Sequence, residues 1–143
     1  GLSWRTVLVK REGYRKAFLN FDPARVAAFD ADDRARLLAD PGIVRNRAKV
    51  ASAIGNAAHF LSVQQEYRSF ARYLWGFVDD RPVCSRFSAQ ADVPASAPLS
   101  DALSRDLYRR GFRFVGTTIV YAFLQASGVV NDHLVSCFRH QRH

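Results

Sequence analysis

Residues 110–128 read Arg110-Gly111-Phe112-Arg113-Phe114-Val115-Gly116-Thr117-Thr118-Ile119-Val120-Tyr121-Ala122-Phe123-Leu124-Gln125-Ala126-Ser127-Gly128. The β-branched run from Thr117 to Tyr121 could open a strand, but its apolar continuation through Ala126 exceeds the usual strand length. The pattern therefore predicts a helix from a Thr117 cap to Ser127, ended by Gly128. Upstream, Ser100 can cap a helix over residues 101–110, with Gly111 in the left-handed position that ends it.

Two helices joined by a six-residue turn with glycine at each end make a helix-hairpin-helix candidate over residues 100–127. The glycines let the backbone approach a polyanion, and the free amides near Thr117 and Thr118 point toward a phosphate. Arg109, Arg110 and Arg113 add positive charge around the turn. Such contacts fix position on a duplex and read no sequence. The alternative at this stage is an ordinary helical hairpin with a solvated basic end.

The rest of the chain is also read as helical. Ser3 caps a helix running through Tyr14 to Phe18, with Glu12 and Lys16 spaced to pair. Asp22-Pro23 opens a short helix, and Asp30 or Asp32 another that ends before Pro41-Gly42. From Arg45, the residues Val50, Ala53, Ile54, Ala57 and Leu61 recur at helical spacing and predict a long helix with Arg45, Arg47 and Lys49 in its first turn. Ser69 caps the next helix, and residues 79–99, with Pro82, Pro94 and Pro98, read as a loop. A last helix is expected over residues 131–138. The fold class is all-α, one compact helical domain over residues 1–143.

Of 143 residues, 21 are Lys or Arg and 13 Asp or Glu, and the net charge of +8 favours a polyanionic partner. No apolar run reaches the roughly 18 residues of a membrane span, so no membrane partner and a cytoplasmic location are expected. Two cysteines, Cys84 and Cys137, are too few for a disulfide framework and read as reduced thiols or metal ligands.

The string 110–119, with Gln125-Ala126-Ser127-Gly128-Val129-Val130-Asn131-Asp132-His133 after it, closely resembles the C-terminal signature of the type I DNA-3-methyladenine glycosylases. Gly1-Leu2-Ser3-Trp4 with Thr6-Val7-Leu8, Phe21-Asp22-Pro23, Gly42-Ile43-Val44-Arg45-Asn46-Arg47 and Ile54-Gly55-Asn56-Ala57 resemble family motifs in the same order. The resemblance covers essentially the whole chain. It implies the helix-hairpin-helix glycosylase fold, a structural zinc ion, and hydrolysis of the N-glycosidic bond of N3-methyladenine in alkylated duplex DNA by a bacterial monomer. The DNA-binding residues it implies are Leu2, Gly111, Phe114, Val115, Gly116, Thr117 and Thr118.

Excision requires the damaged base to leave the stack, and an aromatic face attracts a cationic adenine by stacking and cation–π interaction. Trp4 matches the family's pocket tryptophan, although by spacing alone it reads as a core residue. Leu2 is placed to fill the gap left by the flipped base. The family is thought to recognise the base with a glutamate just upstream of Gly-Leu-Ser-Trp, so this chain is expected to lack an N-terminal segment that carries it. No catalytic residue is then assigned. Asp132, after the hairpin, is the one carboxylate to suggest, and a helix cap is its alternative.

His133 and Cys137 stand four apart, and the resemblance makes them two of four zinc ligands. The family's other two belong to that upstream segment. Cys84, His140 and His143 carry no supporting motif. A non-catalytic DNA-binding remnant is the second functional reading.

Overall fold

The computed structural model describes residues 3–140, so the expectations at Leu2 and His143 lie outside the described residues. Eight α-helices and one pair of two-residue strands are found among the described residues, which makes the chain all-α as expected. Contacts divide the chain into two compact units.

One unit comprises the residues up to Ser62 together with Gly111–Arg113. It holds α1 (Trp4–Val9), α2 (Arg11–Ala17), α3 (Pro23–Ala27), α4 (Ala31–Ala39) and most of α5 (Arg47–Tyr67). Ser3 caps α1, its Oγ accepting the Thr6 amide at 3.2 Å. A single first helix was expected, but the chain bends at Lys10. In this arrangement Gly13 of α2 meets Gly42 backbone to backbone and the Lys10 ammonium donates to the Pro41 carbonyl at 2.6 Å. Within α2, Glu12 pairs with Arg15, at 3.7 Å, in place of Lys16.

Asp22 and Asp30 cap α3 and α4 as the sequence predicts, each carboxylate accepting two amides of the first turn. The helix expected from Arg45 begins at Arg47, because the Asn46 side chain takes the Lys49 amide at 3.0 Å and acts as the cap. The apolar faces of these helices close over Phe18, Val26, Phe29, Leu37, Ile43, Val50 and Ile54.

The other unit comprises Val63–Arg110 and the residues from Phe114 onward. Ser69 caps α6 (Phe70–Trp75) as expected. A long loop holding β1 (Val83–Cys84) leads to α7 (Pro98–Arg109), followed by α8 (Thr117–Ala126) and β2 (Val130–Asn131). The first hairpin helix starts two residues before its expected Ser100 cap. Pro98 occupies its first turn, where a missing N–H costs nothing, and buried Ser100 reaches back to the Ala97 amide at 2.9 Å. Likewise Gly116, and not Thr117, caps α8.

The helix expected over residues 131–138 does not form. Val130 and Asn131 pair in parallel with Val83 and Cys84, and the Asn131 side chain accepts the His133 amide at 3.1 Å. That short-range bond competes with a helical turn, and residues 135–140 continue as turns. The cap alternative for Asp132 falls with the helix.

Candidate nucleic-acid interface

The α7–α8 turn has the local chemistry its glycines suggest. Gly111 adopts φ +96°, which a Cβ would strain, and Gly128 ends α8 at φ +77°. Phe114, at the tip, also has positive φ (+58°) and is 46% exposed. Local strain of this kind is retained where the surroundings enforce it. Gly116 offers no side-chain cap and open space at its Cβ position, so among the described residues no side chain caps the first amides of α8 at Thr117, Thr118 and Ile119.

The second half of the turn is tied to α7. Ser104 Oγ donates to the Val115 carbonyl at 2.7 Å, and Thr117 Oγ1 donates to Asp101 at 2.5 Å while lying 2.8 Å from Ser100 Oγ. The Thr117 hydroxyl is therefore engaged within the protein. Thr118 and Ile119 face solvent.

The first half is gripped by α5, which the sequence did not reveal. The Asn56 side-chain amide donates to the Arg113 carbonyl and its oxygen accepts the Arg113 amide, both at 2.9 Å. The His59 ring lies where a Cβ on Gly111 would fall, 2.6 Å away, and packs against buried Phe112 at 5.6 Å between centroids. An asparagine amid the alanines of a helical apolar stripe was the only available signal.

The three arginines around the turn play different parts. Arg110 bonds both oxygens of Glu66, the Asp106 carboxylate and the Tyr67 hydroxyl, and its guanidinium stacks over the Tyr67 and Tyr73 rings. The Arg110 hydrogen bond holds the Glu66 carboxyl below its ordinary range. Burial would raise the Asp106 carboxyl, but hydrogen bonds from Arg110, Tyr73 and Arg109 bring it below. Burial and the Asp106 bond push the Tyr73 hydroxyl up. Arg113 folds back onto the Gly111 and Phe112 carbonyls. Arg109 is 78% exposed while bonded to Asp106.

Trp4 is 80% exposed on α1, which rules out the core position its spacing suggested. The same unit holds an apolar cleft of about 440 Å³, with Phe18, Phe21, Phe60 and Phe112 in its lining and Lys49 and Asn56 as polar members. Asp132 is held internally: one carboxylate oxygen accepts from Tyr121 (2.5 Å) and Gln125 (2.8 Å), and the other is buried with no hydrogen-bond partner among the described residues. Burial, with Asp132 beside it, pushes the Tyr121 hydroxyl up to about 12.

His133 Nδ1 and Cys137 Sγ approach to 3.7 Å even though no helix spaces them. Two ligands bound at roughly 2.0 and 2.3 Å in tetrahedral geometry stand about 3.5 Å apart, so this pair fits two corners of a zinc site. Among the described residues no third His, Cys, Asp or Glu completes a cluster. His140 turns its Nδ1 to the His133 carbonyl at 3.0 Å, and Cys84 is an exposed free thiol.

The methyladenine glycosylase family model matches residues 1–140. DNA-3-methyladenine glycosylase 1 of Escherichia coli strain K12 is 49% identical over 137 residues, 96% of this chain and 73% of that protein. DNA-3-methyladenine glycosylase of Haemophilus influenzae is 41% identical over 96% of this chain and 74% of its own length. A solved structure of 3-methyladenine DNA glycosylase I from Staphylococcus aureus, describing its recognition of 3-methyladenine, superposes with a TM-score of 0.93. It is 36% identical and matches all of this chain and 76% of that one. The chain belongs to the methyladenine glycosylase family. It is thereby a DNA repair glycosylase, a hydrolase by class.

Proposed function

We propose that the protein hydrolyses the N-glycosidic bond of N3-methyladenine in alkylated duplex DNA, acting as a monomer in a bacterial cytoplasm. The observation that carries this reading is the family match over residues 1–140, to relatives named for that base. Methylation leaves the adenine cationic. When the bond breaks, its electron pair passes to the base and neutralises it, and water adds to the sugar C1′ with loss of a proton. A cationic leaving group needs no general acid, so base selection and support of an oxocarbenium-like sugar carry the rate.

In this reading the uncapped α8 amides at Thr117 and Thr118, with Gly116, half-buried Val115 and exposed Phe114 beside them, receive a DNA phosphate. Gly111 shapes the turn. Exposed Trp4 offers its face to the flipped base. Asp132 receives no chemical step, since its oxygens serve Tyr121 and Gln125 or are buried. His133 and Cys137 supply two ligands to a structural zinc ion, which would fix the segment after β2 and take no part in the reaction.

The test is release of free base from methylated duplex DNA under single-turnover conditions. Release of 3-methyladenine without strand cleavage is expected, because no lysine stands at a recognisable site to act as a nucleophile. Duplex binding without base release would overturn the assignment.

A further inference from the structure

We propose that Asn56 is a positioning residue for DNA engagement: it sets the hairpin turn through the Arg113 backbone and touches no DNA itself. The proposal rests on the reading of the hairpin as the phosphate site.

A turn that presents bare amides to a phosphate must itself be fixed, because each mobile residue loses conformational freedom on binding. Within α7 and α8, Ser104 and Thr117 hold only the trailing half of the turn. The leading half, Gly111–Arg113, is held from α5. Asn56 there satisfies both backbone groups of Arg113, a pairing across 57 positions of sequence. One helical turn further along, His59 fills the space that the missing Gly111 side chain leaves and packs on Phe112. The sequence next delivers Phe114 to Thr118, which carry the proposed phosphate contacts. Asparagine suits the role, since a single planar amide donates and accepts side by side.

The experiment measures duplex affinity across a salt series for the unsubstituted protein, Asn56→Ala, Asn56→Asp and Gly116→Arg. Hydrogen exchange at residues 111–118 is followed in parallel. Losing both bonds should weaken duplex binding about tenfold in Asn56→Ala, as a net loss near one hydrogen bond implies. The slope of log affinity against log salt should stay unchanged, because no phosphate-neutralising cation is removed. Exchange at the Arg113 amide should accelerate. Asn56→Asp, which keeps the acceptor and loses the donor, should fall between, and it serves if the alanine variant folds poorly.

A residue that merely stabilised the fold would leave the affinity of the folded fraction intact. If Gly116→Arg abolishes binding while both Asn56 variants bind normally, the positioning role is overturned and the hairpin reading survives. If Gly116→Arg also binds normally, the hairpin is not the DNA site and both ideas fall together.

Discussion

Arg110 and Glu66, 44 positions apart in sequence, are joined by two guanidinium–carboxylate bonds of 2.6 and 3.2 Å, and the same guanidinium bonds Asp106 at 2.7 Å. A cation that immediately precedes the turn is thus spent inside the protein. Arg110→Met is expected to cost roughly 2 kcal/mol of stability by leaving the partly buried Asp106 without its main partner. It should leave the salt slope of DNA binding unchanged, whereas Arg109→Ala should reduce that slope by about 0.9. Urea unfolding and a salt titration check the two halves.

The same cluster sets an acid limit. Glu66 and Asp106 both have folded carboxyl pKa values below their ordinary ones. Such groups add stability above the unfolded pKa and lose it as pH falls through the folded pKa, so the loss should set in below about pH 4. Thermal unfolding followed by circular dichroism should show that fall, and a shallower one in Arg110→Met. Equal slopes for the two proteins would remove the cluster from the acid response.

Two helical glycines should respond oppositely to alanine. A Cβ on Gly13 would overlap the Gly42 carbonyl oxygen, backbone against backbone. Gly13→Ala is expected to destabilise by about 3 kcal/mol, as overpacking at a rigid contact does. Gly55, inside α5, has nothing within 4 Å of its Cβ position. Gly55→Ala should stabilise by about 0.5–1 kcal/mol through helix propensity. Denaturant midpoints of the two variants decide this.

Trp4→Ala separates folding from base recognition. At 80% exposure the indole supports little of the core, so stability should change by less than about 0.5 kcal/mol. Loss of a stacking face for the extruded base should slow 3-methyladenine release by roughly 10- to 100-fold, the range of one base–aromatic contact. Unchanged release would assign the face to another residue.

Cobalt reports the proposed metal ligands directly. With Cys137 present, titration should produce a thiolate-to-metal charge-transfer band, and Cys137→Ser should abolish it while leaving Cys84 intact. Persistence of the band in that variant would point to the exposed Cys84 as the thiolate instead.

Much of this architecture was legible in the sequence wherever a local rule decided it. Asp22-Pro23, Asp30 and Ser69 act through side-chain bonds within three residues, and Gly111 and Gly128 through their own dihedral angles. Expectations failed where distant chain intervened. The β1 strand draws Asn131 out of a helical pattern, and the Gly13–Gly42 contact accompanies the bend at Lys10. At the candidate interface, the glycine-bounded turn and its bare helix end could be read in advance. Asn56, Glu66 and Asp106 could not, because their partners lie tens of residues away and nothing in the spacing links them.

The grip of Asn56 on position 113 uses only main-chain atoms. Nineteen of the twenty amino acids offer that same N–H and C=O, and proline alone lacks the donor. Position 113 is therefore chemically open but closed to one residue. A saturation library there, selected for duplex binding, should tolerate broad variation in charge and size and be depleted of proline, so the turn's geometry and its surface potential can diverge independently.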